Sequence, residues 1–160
     1  MRSFVGAISG FVHSRESPSL EVNRKHDSDR SIRVVALLAE DSDQSVVIDV
    51  CQQNQWELSM VETVEDVRQR MRLIEPQIVL IDRDIAGESW RTAMSSLTSC
   101  STETCITLVS SVMDGYLWNE VVRNGGYDVL IKPLQPNEVY RIVKLARCYS
   151  MSVLKSRGSL

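Results

Sequence analysis

IVLIDRDIAG, residues 78–87, runs four apolar residues straight into Asp82, with a second acid at Asp84 and a glycine at Gly87. Three of the four, Ile78, Val79 and Ile81, are β-branched, and a short apolar run of this kind suits a strand covered on both faces. Such a strand carries its last residue to the edge of the sheet. An acid there needs a reason, and the rest of the chain supplies one.

Four other runs share the same character: VVALLA (34–39), ELSMV (57–61), CITLVS (105–110) and YDVLI (127–131). Between them the apolar period lengthens to three and four residues. Val46, Val47, Val50 and Cys51 form one such set, Val64, Val67, Met71 and Ile74 a second, and Val139, Ile142, Val143 and Ala146 a third. Thr63 with Asp66 resembles a capping box at the start of the second set. Strict strand and helix alternation predicts an α/β fold, a doubly wound (βα)5 unit whose five-stranded parallel sheet has helices on both faces.

In a sheet of this kind, reactive groups gather at the carboxyl ends of the strands. There the first run offers Glu40, Asp41 and Asp43, the third Asp82 and Asp84, the fourth Ser110 and Ser111, and the fifth Lys132 followed by Pro133. Each has an ordinary reading when taken alone. Acids after a strand commonly cap the next helix, and a strand-end lysine buries little. Together they form a complementary set suited to phosphoryl transfer. Neighbouring carboxylates are hard oxygen ligands for Mg²⁺, an aspartate oxygen can form an acyl phosphate, and an ammonium and a hydroxyl can hold the oxygens of the transferred group.

Composition narrows the class. The 160 residues are 43% hydrophobic with a formal net charge of −3, enough for one domain with a real core. The charge offers no electrostatic footprint for direct nucleic-acid binding, and no apolar run is long enough for a membrane span. Cys51, Cys100, Cys105 and Cys148 lack the spacing of a zinc site, so reduced thiols and a cytoplasmic location are expected. Residues 14–31, SRESPSLEVNRKHDSDRS, are too polar to offset the entropy of ordering. The expected organisation is a disordered N-terminal extension over 1–31, a domain over 32–148 and a short C-terminal tail over 149–160. FVGAISGFV (4–12) lacks the charged flank and cleavage site of a signal peptide, and reads as a weak anchor helix or an over-extended start.

PQIVLIDRDIAG (76–87), LVSS (108–111) and GGYDVLIKP (125–133) resemble the receiver domains of bacterial two-component response regulators, over about residues 32–148. Spacing as well as residue type carries the likeness, with Ser110 lying 28 residues and Lys132 lying 50 residues beyond Asp82. The resemblance implies a flavodoxin-like fold, Asp82 as phosphoacceptor, Lys132 as the lysine contacting the phosphoryl group, and Ser110 as the switch hydroxyl. It also implies Mg²⁺ held by Glu40, Asp41, Asp82 and the backbone carbonyl of Asp84. The family's paired acids fall on Ala39 and Glu40 in one register and on Glu40 and Asp41 in another. Its aromatic switch position falls on Val129, with Tyr127 close by.

A phosphorelay role follows from that resemblance. The implied partners are a sensor histidine kinase or phosphotransfer protein upstream and an effector protein downstream, with a homodimer compatible. No output domain follows in these residues, so a single-domain regulator acting by contact is expected. Tyr116, Trp118 and Tyr140 are candidates for the output surface. Such a protein is no enzyme beyond slow autodephosphorylation. One alternative is a receiver-like interaction module that is not phosphorylated. A further one is a haloacid-dehalogenase-type phosphatase, whose D-x-D motif Asp82 and Asp84 mimic, although those enzymes carry the motif on the first strand.

Overall fold

The computed structural model describes residues 31–85 and 87–158. The expected disorder of the N-terminal extension and the reading of residues 4–12 lie outside them, Ser31 apart.

Five strands form one parallel sheet: β1 (Arg33–Leu37), β2 (Glu57–Met60), β3 (Ile78–Asp82), β4 (Cys105–Ser110) and β5 (Asp128–Ile131). Five helices alternate with them: α1 (Asp41–Gln53), α2 (Val64–Ile74), α3 (Trp90–Thr98), α4 (Gly115–Arg123) and α5 (Pro136–Gly158). The strand order is β2-β1-β3-β4-β5, which is the doubly wound, flavodoxin-like arrangement expected from the alternation.

Alternate strand residues feed two separate cores. Val34, Ala36, Ile78 and Leu80 pack with Val47, Val50 and Cys51 of α1 and with Val139, Ile142, Val143 and Ala146 of α5. Val35, Leu37, Val79, Ile81, Ile106 and Leu108 pack with α2, α3 and α4 on the other face. This two-sided burial explains why β3 is apolar at consecutive positions.

Helix boundaries follow local chemistry. The Thr63 hydroxyl accepts from the Asp66 amide, Ser89 from Thr92 and Asp114 from Leu117, at 3.1, 3.2 and 2.7 Å, each replacing a partner that a first-turn amide lacks. The GGY turn ends α4 by a Schellman motif, with Gly125 at φ 88° donating to the Val122 carbonyl and Gly126 to Val121. A side chain on Gly126 would also meet Val121 Cγ1 at 2.5 Å. Two glycines thus deliver β5, and Lys132 at its end, onto the sheet edge.

Residues 149–158 continue α5 to Gly158, and Arg157 pairs with Glu103 in the loop before β4. The helix persists because Ser150 is buried and Tyr149 meets Tyr127 at 5.7 Å between ring centroids. Among the described residues no helix is long and apolar enough to cross a membrane.

All four cysteines are free of disulfides, Cys51 and Cys105 buried and Cys100 and Cys148 exposed. Burial pushes the Cys51 thiol up to about 11 and the Cys105 thiol up to about 12, so neither supplies thiolate near neutral pH. A thiol reagent is expected to modify Cys100 and Cys148 quickly in native protein and Cys51 and Cys105 only after unfolding. Mass mapping checks this, and equal native labelling at all four would contradict the core packing.

Candidate functional site

The carboxyl ends of β1 and β3 adjoin, and the chain leaves them in opposite directions. This is the topological switch point, where crevices form in such sheets. Asp82 closes β3 at this point and is 0% exposed. Its Oδ1 accepts from the Asp84 amide at 3.0 Å, a local turn in which an Asp side chain caps the backbone two residues on. The acid after the apolar run therefore turns the chain as well as facing the site. Asp84 itself is exposed.

The other oxygen of Asp82 meets two donors. The Ala39 amide lies 3.1 Å from Oδ2, and Lys132 Nζ lies 2.7 Å from the same atom. Lys132 leaves the end of β5, with β4 between it and β3, a gap of two strand spacings, or about 10 Å, which the Lys132 and Asp82 side chains close from its two sides. The backbone ties the three ends together: Arg83 donates to the Val109 carbonyl and Lys132 to the Ser110 carbonyl, both at 2.9 Å. The Lys132 side chain is only 6% exposed. The residue as a whole is half-buried, and its ammonium stands against a buried acid. Burial alone would push its ammonium down, but hydrogen bonds to Asp82 and then Glu40 outweigh this, and the net displacement is upward.

Among the described residues, Glu40 is the upstream acid that reaches this pair, its Oε1 lying 3.2 Å from Lys132 Nζ. Asp41 is exposed in the first turn of α1. Asp43 is buried, with Oδ1 accepting from the Leu134 amide at 3.0 Å and Oδ2 without a hydrogen-bond partner. Parallel pairing of Leu37 with Ile81 sets Leu38 and Ala39 beside Asp82, so the residues abutting the acceptor carry no carboxylate. Of the residues expected to hold Mg²⁺, Glu40, Asp41, Asp82 and the Asp84 carbonyl, Glu40 and Asp82 meet through Lys132 while Asp41 stays exposed. Among the described residues no group of three or more His, Cys, Asp or Glu is placed to hold a metal ion. The residues present fit an ammonium better than a divalent ion.

Ser110 is fully buried at the end of β4. Its hydroxyl donates to the Val112 carbonyl at 2.8 Å and accepts from the Val112 amide at 3.2 Å, so it braces its own loop.

No family model matches the sequence, and no curated protein does so. Solved structures do match the fold. A two-component response regulator from Clostridium difficile aligns at TM-score 0.66 and 12% identity, over 72% of this chain and 95% of that one. The chemotaxis protein CheY4 of Vibrio cholerae aligns at 0.66 and 13%, over 73% and 99%. The BeF3-activated receiver domain of DrrB aligns at 0.63 and 18%, over 73% and 97%. The chain has the receiver-domain fold.

Two further positions separate within this receiver fold. Val129 is buried among α2, α3 and α4, whereas Tyr127 packs on the opposite core with Tyr149. Successive strand residues alternate faces, so 127 and 129 would share one if β5 began at 127; it begins at Asp128. Tyr116 and Trp118 are exposed on α4. Tyr140 of α5 is exposed as well and stacks on Trp56 at 5.6 Å beside the start of β2.

Proposed function

We propose that this chain is a response regulator in which Asp82 accepts a phosphoryl group from a sensor histidine kinase or a phosphotransfer protein. The observation carrying this reading is the Asp82–Lys132 pair at 2.7 Å, at the switch point of a receiver fold. One Asp82 oxygen attacks phosphorus, the bond from phosphorus to the donor's nitrogen breaks, and the donor keeps the electron pair. The product is an acyl phosphate whose added negative charge faces the Lys132 ammonium. Ser110 can contribute once its hydroxyl leaves Val112. Output runs through protein contact, and the exposed Tyr116 and Trp118 of α4 supply an apolar surface for an effector.

No turnover is assigned. Asp82 lies on the third strand, not on the first as in the phosphatases with the D-x-D motif, and the Asp84 side chain is exposed to solvent. A second reading has its own support. Asp82 is fully buried and both its oxygens are hydrogen-bonded, which also suits an interaction module whose acid is structural.

Intact-mass measurement after incubation with acetyl phosphate, with and without Mg²⁺, separates the two. Wild type is expected to gain one phosphoryl group and Asp82→Asn none. Absence of an adduct under both conditions leaves the interaction module, and steady hydrolysis of phosphomonoesters by wild type would overturn both.

A further inference from the structure

Asp82 and Glu40 converge on a single atom of the chain. Lys132 Nζ lies 2.7 Å from Asp82 and 3.2 Å from Glu40. We propose that Lys132 is the resident cation of this site, standing where a divalent ion would otherwise bridge Asp82 and Glu40, so that the carboxylates are held together without metal.

Three observations converge. First, the Asp82 carboxylate is nearly saturated. An ionised carboxylate offers about four acceptor positions, and the Asp84 amide, the Ala39 amide and Lys132 use three of them. Secondly, the end of β1 places no further carboxylate on Asp82. Leu38 is buried in the core and Ala39 meets Asp82 through its backbone amide, while Asp41 is exposed and Asp43 gives one oxygen to the Leu134 amide. Thirdly, the ammonium cannot easily stand aside, because its side chain is enclosed. A divalent ion about 4 Å from it would meet a repulsion of about 2 kcal/mol even at the dielectric of water, and more in a buried setting. Two carboxylates are few to offset that.

The proposal concerns the site read above as a phosphoacceptor. Its test reads ion binding, not phosphoryl uptake, so the two readings fail separately. Mn²⁺ is titrated into the full chain while broadening of the Ala39 and Asp84 amide resonances is followed, with Mg²⁺ as competitor. Wild type is expected to show no saturable broadening at these amides. Lys132→Gln and Lys132→Met remove the positive charge and leave both acids, and are expected to bind the ion about tenfold tighter or better. Lys132→Gln keeps a hydrogen-bond donor for Asp82, so the comparison survives if Lys132→Met fails to fold. Saturable, Mg²⁺-displaceable broadening in wild type would overturn the proposal, as would equal affinities in wild type and Lys132→Gln.

Discussion

Replacing Lys132 with methionine is expected to destabilise the domain by about 3 to 5 kcal/mol, the usual cost of breaking a buried ion pair from one side. Methionine keeps most of the apolar stem that Lys132 buries and removes only the charge. What it leaves behind is Asp82, fully buried, with Oδ2 retaining one amide donor. Urea unfolding at neutral pH measures the loss. The double variant with Asp82→Asn should recover a large part of it, because the amide needs no counter-charge. The sign of the pH dependence follows from the raised Lys132 value. The stabilisation is fully present below the ordinary lysine range and is lost as pH rises through the raised folded-state value, so the gap between wild type and Lys132→Met should close only in strong alkali. A loss below about 1 kcal/mol would place the pair with exposed salt bridges, which contribute that little.

Leu80→Ala is expected to cost about 2 to 5 kcal/mol, from lost burial and from the cavity left behind. Leu80 is fully buried in the central strand β3, hydrogen-bonded between β1 and β4, and packs in the core shared with α1 and α5. Strands fixed on both sides cannot close inward to fill the space, which argues for the upper half of that range. The unfolding midpoint should fall with the denaturant slope unchanged. A change under about 1 kcal/mol would mean that the site collapses freely, contrary to the packing of β3 described above.

Much of the frame is readable from local pattern. The consecutive apolar runs locate all five strands to within one or two residues, and the three- and four-residue periods locate α1, α2 and α5. Helix α3 has the same spacing, Trp90, Ala93, Met94 and Leu97, but its interleaved Ser and Thr dilute the signal, and only the alternation of elements required it. Helix α4 buries just Leu117 and Val121, too few positions to define a period. Asp82 and Lys132 are legible as site residues because each directly ends an apolar run, and the strand end is where a parallel sheet presents its polar groups.

Which acid joins them is a different kind of question. Glu40, Asp41 and Asp43 lie close together, and nothing local distinguishes them. Pairing of Leu37 with Ile81 sets the register that puts Ala39 beside Asp82, 43 residues away in sequence. The reach of a lysine stem across β4 then brings Lys132 to Glu40, a separation of 92 residues. The enclosure of Lys132, the engagement of Ser110 with Val112, the stacking of Tyr140 on Trp56 and the extension of α5 to Gly158 have the same origin. Where strands and helices form and which charges stand at strand ends are local matters, because solvent partitioning acts on neighbouring residues along one element. Which of those charges meet is settled by packing, because register, side-chain reach and enclosure are properties of segments brought together from distant parts of the chain.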